Sequence, residues 1–91
     1  MYLHLGRDFI IKKEGIIGIY DMDNTTVSVR TREYLNSAER SGRLIYITSE
    51  LPKSFIVYDD GQGITVYVSQ ISTTTLLKRS DFLTKEEVKD V

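Results

Sequence analysis

The chain has 91 residues, no cysteine and a formal net charge of -1. A chain of this length forms one domain with a thin core, which excludes the deep two-lobed clefts of larger enzymes. Its 41% apolar and 27% charged residues are typical of a globular protein and not of a disordered one. The near-neutral charge gives no overall attraction to nucleic acid, so such binding would depend on a local basic patch.

Cysteine usage and the apolar runs bear on where the protein works. The absence of cysteine excludes a disulfide framework and a thiolate metal site. The N-terminus contains Arg7 and Asp8 and lacks the long apolar segment of a signal peptide. No apolar run approaches the roughly 20 residues that span a bilayer. We therefore expect a cytoplasmic protein that does not enter the membrane.

The first part of the chain predicts three strands and the main helix. Met1 to Leu5 and Phe9 to Lys12 are short apolar segments on either side of a turn. Ile16 to Met22 is too apolar for a half-exposed edge, so it predicts a central strand. Val27 to Ser41 predicts a helix, and Gly42 stands where a left-handed cap is expected. The helical stripe expected to face the core is Val27, Thr31, Tyr34, Leu35 and Ala38.

The rest of the chain predicts a β-meander followed by a short helix. The predicted strands, separated by turn-forming residues, are Leu44 to Ser49, Ser54 to Tyr58 and Ile64 to Ser69. Ser72 opens the short helix, which ends at Arg79. The expected fold class is therefore α+β: a mostly antiparallel sheet with one main helix on one face and a short C-terminal helix.

A catalytic hypothesis concerns Asp21 and Asp23, which follow an apolar strand as an Asp-x-Asp pair. The pattern resembles the first motif of haloacid-dehalogenase-like phosphatases, in which the first Asp attacks phosphorus near Mg²⁺. Thr48, Lys53 and the acidic residues at Asp59 would stand for that family's remaining motifs. A strand followed by a polar loop that caps a helix is the structural interpretation of the same residues.

Chain connectivity disfavours the phosphatase hypothesis. Only four residues separate Ser49 from Ser54, whereas a parallel crossover needs a dozen or more. The two flanking strands must then form an antiparallel hairpin or not be neighbours. Either arrangement is expected to place Thr48 and Asp59 at opposite ends of the sheet.

Other candidate side chains have structural interpretations. Asp59 and Asp60 precede a glycine between two strands, which indicates a hairpin turn more than a metal site. Residues 61–63 lack the third glycine and the following helix of a dinucleotide site. His4, the single histidine, has no neighbour spaced for a metal or a triad. The tyrosines expected to pack within strands and not to stack on bases are Tyr20, Tyr46, Tyr58 and Tyr67.

Two basic clusters are candidates for contact with DNA. The bases of the main helix alternate with acids, which favours a solvated face; they are Arg30, Arg32, Arg40 and Arg43. Lys78 and Arg79 close the short helix, where they complement its C-terminus or reach phosphates. Lys53, in the loop that follows Pro52, is a candidate neighbour of that pair.

Several segments, taken in order, share one pattern. The chain opens with Tyr-Leu-His-Leu-Gly at residues 2–6. Residues 34–44 read YLNSAERSGRL, with an apolar pair, an alanine three residues on and then Gly-basic-Leu. The strands at 54–58 and 64–69, the Asp-Gly turn between them and residues 71–79 complete the series. Over residues 1–82 the chain thus resembles the RemA/RemB family of bacterial extracellular-matrix regulators, and it is closer to RemB.

This resemblance implies a regulator of biofilm-matrix genes. RemA-like members bind DNA, have a fold related to LytTR-type DNA-binding domains and assemble into rings. In those members an arginine-rich loop between two strands supplies charge for phosphates. The matching loop here, residues 50–54, keeps only Lys53 as a base and contains Glu50, so that role does not carry over residue by residue.

The leading hypothesis is a non-enzymatic, homo-oligomeric regulator of extracellular-matrix genes that binds duplex DNA and needs no cofactor or metal. It places a single domain over residues 1–82 and an acidic tail over residues 83–91. The bases expected to contact DNA are Lys53, Lys78, Arg79, Arg32 and Arg43. Two alternatives stay open: an oligomerising module that acts through a protein partner, and a Mg²⁺-dependent phosphatase that uses Asp21.

Overall fold

A computed structural model of the chain describes residues 2–22 and 29–80. Its elements, in chain order, are β1 (Tyr2–Gly6), β2 (Phe9–Lys12), a 3-10 turn (Lys13–Gly15), β3 (Ile16–Asp21), α1 (Val29–Arg40), β4 (Leu44–Tyr46), β5 (Ser54–Asp59), β6 (Ile64–Ser69) and α2 (Thr73–Arg79). β1 and β2 form a hairpin, and the other strands form a four-stranded sheet in the order β3-β5-β6-β4. Every pair is antiparallel except β4 with β6. The predicted α+β class is therefore confirmed.

Two apolar clusters lie on opposite faces of the four-stranded sheet. On one face α1 contributes Ala38 and Leu35, which pack with Phe55, Val57, Val66 and Val68 of the central strands. On the other face the hairpin and α2 enclose Ile56; this cluster contains Leu3, Leu5, Ile11, Ile47 and Leu76. Successive side chains of a strand point to opposite faces, so a strand covered on both sides is apolar throughout. β5 shows this, because its residues from Ser54 to Val57 are all buried.

The apolar run at Ile16 forms an edge strand, so the prediction of a central strand is wrong. Within the described residues β3 pairs with β5 on one side and with no strand on the other. Ile17 is 58% exposed and Tyr20 is 40% exposed. α1 packs mainly on β4 and β6 and leaves part of β3 open on its face of the sheet. β3 is rich in apolar residues because Ile16 and Ile19 pack on the other face of the sheet, against the cluster around Ile56.

The predicted meander is also wrong, because β4 lies beside β6 and not beside β5. Leu44 pairs with Val66 and Tyr46 with Val68, in parallel. The loop after β4 crosses the end of β6, where the Lys53 N–H donates to the Ser69 carbonyl at 2.9 Å. β5 and β6 can therefore form their own hairpin between the two edge strands. The strands flanking the short loop are not neighbours, which is the second of the two arrangements that the loop length allowed.

The helix ends follow the sequence signals. Gly42 has a φ of 74°, as a left-handed cap requires. The Arg43 N–H donates to the Ala38 carbonyl at 2.8 Å, and the Gly42 N–H donates to the Glu39 carbonyl at 3.0 Å. This pair of bonds is a Schellman motif, so the predicted cap is confirmed. The predicted start of the helix at residues 27 and 28 lies outside the described residues.

Candidate functional site

The carboxylate of the phosphatase hypothesis lies at one end of the sheet. Asp21 pairs with Ser54 at the start of β5, and Asp59 ends the same strand. Five strand steps separate Ser54 from Asp59, which is about 17 Å. Thr48 follows β4 near the Asp21 end, because β4 runs antiparallel to β5. The prediction that Thr48 and Asp59 lie at opposite ends is therefore confirmed, and Asp59 lies away from the end of the sheet that holds Asp21, Thr48 and Lys53. Asp23 lies outside the described residues.

The acidic pair after β5 forms the predicted hairpin turn. The Asp59 carboxylate accepts the Gly61 N–H at 2.9 Å. The Asp60 carboxylate accepts the N–H of Gln62 at 2.8 Å and that of Gly63 at 3.0 Å. Both side chains therefore stabilise the turn from residue 59 to residue 63. Across residues 2–22 and 29–80, no three His, Asp or Glu side chains gather as a metal site.

His4 has a structural setting on the hairpin. Its ring nitrogen Nε2 hydrogen-bonds the Arg7 carbonyl oxygen, across the turn from β1 to β2. Arg7 itself adopts a positive φ of 50° in that turn. The His4 carbonyl accepts a 3.1 Å bond from Nη1 of Arg79, which ties the end of α2 to β1. The Arg79 side chain thus stabilises the packing of α2 against β1.

The five bases expected to contact DNA occupy three separate regions of one protomer. Lys53 is exposed at the end of the sheet where β5 begins. Lys78 and Arg79 are exposed at the end of α2, on the sheet face opposite α1. Arg32 is exposed on α1, and Arg43 is half-buried just after it. Lys78 and Arg79 are neighbours in sequence, whereas the other three bases lie on other segments, and a shared contact of the five with DNA stays a prediction.

An apolar groove lies between α1 and the edge strand β3. It encloses about 520 Å³ and is lined by Ile17, Tyr20, Arg30, Thr31, Tyr34, Phe55, Val57 and Ile64. We call this surface the β3 groove. Arg30 and Tyr34 lie one helical turn apart on the same flank of α1, whereas Arg32 lies on the other flank. The groove is thus mainly apolar, with the Arg30 guanidinium as its cation.

The aromatic ring of Tyr20 shapes the groove beside β3. It stacks on Phe55 with ring centroids 5.0 Å apart and an interplanar angle of 22°. A Cβ on Gly18 would collide with the Tyr20 ring and its hydroxyl oxygen, so the ring occupies the space that a side chain would need. The expected packing of tyrosines within strands holds for Tyr20, which lies on its own strand and on β5. It fails for Tyr46, which is 57% exposed on the other edge strand.

Comparison with known proteins places the chain among regulatory proteins. A family model described as RemA-like, Extracellular matrix regulatory protein A-like, matches residues 2–79. The chain belongs to the RemA-like family. Among curated proteins, Extracellular matrix regulatory protein B of Bacillus subtilis (strain 168) is 31% identical to it over 83 residues, which cover 91% of this chain and 94% of that protein. The sequence-based assignment to the family, closer to RemB, is therefore confirmed.

The names of this family and of this relative describe regulation of extracellular matrix, and neither names a catalysed reaction. The described part of this RemA-like chain has no helix that is long and apolar enough to cross a lipid bilayer. The arginine-rich loop implied by the RemA resemblance corresponds here to residues 50–54, where Lys53 is exposed near Leu51. Leu51 is 80% exposed, so this loop presents an apolar side chain beside its single base, Lys53.

Two features of this RemA-like chain were not predicted from its sequence: the β3 groove and the exposed Leu51. The helical stripe placed Tyr34 in the core, but its side chain is 40% exposed on the groove flank of α1. The sequence did contain a signal for the β3 groove, namely the spacing of Gly18 and Tyr20 on one face of a strand. An aromatic ring can lie over a glycine two residues away. Leu51 stands next to Glu50 and Pro52, so its isolation in a polar loop was visible in the sequence.

Proposed function

We propose that this chain is a non-enzymatic cytoplasmic regulator of extracellular-matrix genes, and that it acts as a homo-oligomer that binds duplex DNA. The observation that supports the regulatory role is the match to the RemA-like family over residues 2–79. The related Extracellular matrix regulatory protein B covers nearly the whole chain, so the role applies to the domain as a unit.

The distribution of bases is the reason to expect an assembly. Each phosphate contact needs a base or a well-aimed donor, and useful affinity needs several such contacts. Among the five candidate bases, Lys78 and Arg79 are the two that adjoin in the described chain, and Lys53 lies in a different loop. A repeated arrangement of protomers would present each basic surface several times along one DNA duplex, and avidity would add to a weak single contact.

A second candidate function is regulation through a protein partner. The loop before β5 favours it, because Glu50 and Leu51 are exposed where RemA-like members are expected to carry arginine. An exposed leucine suits contact with a protein partner, and the carboxylate beside it repels phosphate.

Fluorescence anisotropy of a labelled DNA duplex tests the DNA contact. Binding is expected to weaken steeply between about 50 and 200 mM salt. The double variant Lys53→Gln/Lys78→Gln should bind more weakly, and its salt slope should fall by about one for each phosphate that no longer meets a base. Lys12→Gln, which removes an exposed base of β2 outside the predicted set, is the matched control. If the oligomeric protein leaves the anisotropy of the duplex unchanged at low salt, the proposed DNA contact is wrong. Regulation through a protein partner is then favoured.

Three single variants locate the DNA on the protomer. Arg32→Gln and Arg43→Gln change the α1 side, whereas Lys78→Gln changes the α2 side. Contact through the α2 face predicts weaker DNA binding for Lys78→Gln alone. Contact through the α1 face predicts weaker DNA binding for Arg32→Gln and Arg43→Gln and unchanged binding for Lys78→Gln. Equal binding by all three variants would contradict a role for both surfaces.

A further inference from the structure

The β3 groove is an apolar surface that no element of the described chain covers. Its floor contains the rings and methyl groups of Phe55 and Val57, and its walls contain Tyr20 of β3 and Tyr34 of α1. Ile17 at its outer side is 58% exposed, and the two tyrosines are each 40% exposed. Contiguous apolar patches on soluble proteins mark interaction sites, because burying them in a partner removes apolar area from water.

The loop between β4 and β5 presents a side chain that suits such a groove. Leu51 is 80% exposed, which is the highest value among the large exposed apolar residues of the described chain. The loop is held on both sides of this leucine: the Glu50 N–H donates to Thr48 Oγ1 at 2.9 Å, and the Lys53 N–H donates to the Ser69 carbonyl at 2.9 Å. A pre-ordered loop loses little conformational entropy on binding, so its exposed leucine can contribute most of its burial energy.

The charges that flank the two surfaces are complementary. Glu50 is exposed next to Leu51, and Arg30 is the charged residue among those that line the β3 groove. Arginine pairs with carboxylates through two parallel hydrogen bonds, so such a contact is both directional and strong. A polar pair at the rim of an apolar contact is the usual arrangement of a protein interface.

We propose that the Glu50–Leu51 segment of one copy of this chain occupies the β3 groove of a second copy, with Leu51 on the apolar floor and Glu50 paired with Arg30. The inference rests on the homo-oligomer of the proposed function and supplies its contact surface. Groove and loop are different surfaces, so the contact is heterologous: each copy offers one of each. Repetition of such a contact gives a ring if the rotation between copies closes and an open filament if it does not, and two copies that exchange their loops reciprocally give a dimer.

Sedimentation velocity of the full chain over a concentration series tests the contact. Leu51→Ser removes the apolar side chain, and Arg30→Glu or Glu50→Arg reverses one charge of the proposed pair. Each single variant should raise the dissociation constant of self-association at least about tenfold, as truncation of a central interface residue does. The double variant Arg30→Glu/Glu50→Arg restores opposite charges and should recover most of the association. All these positions are exposed, and circular dichroism checks that the fold is retained.

Two exposed residues elsewhere serve as matched controls. Leu77 of α2 is 42% exposed and Ile10 of β2 is 60% exposed. Both belong to elements that cover the sheet face opposite the β3 groove. Leu77→Ser and Ile10→Ser should therefore associate as the unchanged chain does.

The outcomes separate this interface from the proposed function. An unchanged chain that stays monomeric at every concentration overturns both the interface and the homo-oligomer. An oligomer that forms equally well in Leu51→Ser and Arg30→Glu overturns the interface alone. Loss of association in Leu77→Ser but not in Leu51→Ser also overturns it, and places the contact on the α2 side of the protomer. Recovery in the charge-reversed double variant supports the pairing of Glu50 with Arg30.

Discussion

The hydroxyl of Ser69 donates a 2.8 Å hydrogen bond to the carbonyl oxygen of Leu5. Both residues are fully buried, and the bond joins β6 of the four-stranded sheet to β1 of the hairpin. The same hydroxyl oxygen accepts the Ile71 N–H at 3.0 Å, where the chain turns toward α2. Ser69 therefore connects the sheet with both elements that cover its second face.

Replacing Ser69 with alanine is expected to lower the free energy of unfolding by about 1–3 kcal/mol. The fully buried Leu5 carbonyl would be left without this hydrogen bond, and so would the half-buried Ile71 N–H. Urea denaturation measures the change. Ser41→Ala is the matched control, because that hydroxyl bonds the Ser37 carbonyl on the exposed surface of α1. Its effect should stay within about 0.5 kcal/mol, and equal destabilisation of both variants would contradict this role for Ser69.

Gly42→Ala is expected to lower the free energy of unfolding by about 1–2 kcal/mol, because alanine is strained in the left-handed region. The space around Gly42 is open, so backbone strain at its φ of 74° is the cost. Gly63→Ala provides the comparison, since that glycine also has open space but no positive φ. Thermal unfolding should show destabilisation for Gly42→Ala and none for Gly63→Ala. A neutral Gly42→Ala would show that the Schellman cap contributes little.

Local signals in the sequence predicted the parts of the fold that depend on a few neighbouring residues. The Gly42 cap and the turn from Asp59 to Gly63 are set by glycine and by short carboxylate side chains, so both were predicted. The β6 strand was predicted with its observed bounds, Ile64–Ser69. These features need no knowledge of the rest of the chain.

Features that depend on the order of strands were not predictable in the same way. The apolar run of β3 is compatible with a central strand, and its position at the edge follows from where α1 packs. The parallel pairing of β4 with β6 follows from the loop that crosses the end of β6, which no local pattern encodes. The β3 groove exists only because both of these arrangements leave part of the sheet open beside Tyr34.

Ile56→Ala is expected to lower the free energy of unfolding by about 2–5 kcal/mol. Ile56 has no exposed surface and lies in the cluster between the sheet, the hairpin and α2. Removal of its outer carbons leaves a cavity, and the neighbouring β-strands on both sides prevent that cavity from closing. Ile10→Ala, at a residue 60% exposed on β2, should change stability by no more than about 0.5 kcal/mol. Urea titrations of the two variants should therefore separate clearly, and similar midpoints would contradict the assigned core.

Tyr67 gives the fold a sensitivity to alkaline pH. Its ring packs edge-on against Phe9 and against Tyr58, with centroid distances of 6.1 Å in both pairs. Burial raises the pKa of the Tyr67 phenol, and Tyr58 and the negative charge of Asp60 raise it further. The folded state therefore holds the phenolic proton more tightly than the unfolded chain does.

This raised pKa predicts how stability changes above neutral pH. The contribution of Tyr67 is fully present below the ordinary phenol pKa of about 10 and is lost as the pH rises through the raised folded value. Tyr67→Phe keeps the ring contacts and removes the proton, so its free energy of unfolding should fall less steeply above pH 10 than that of the unchanged chain. Tyr46→Phe removes an exposed hydroxyl on β4 and should keep the original slope. Parallel profiles for Tyr67→Phe and the unchanged chain, measured by urea denaturation from pH 8 to 11, would contradict the assignment.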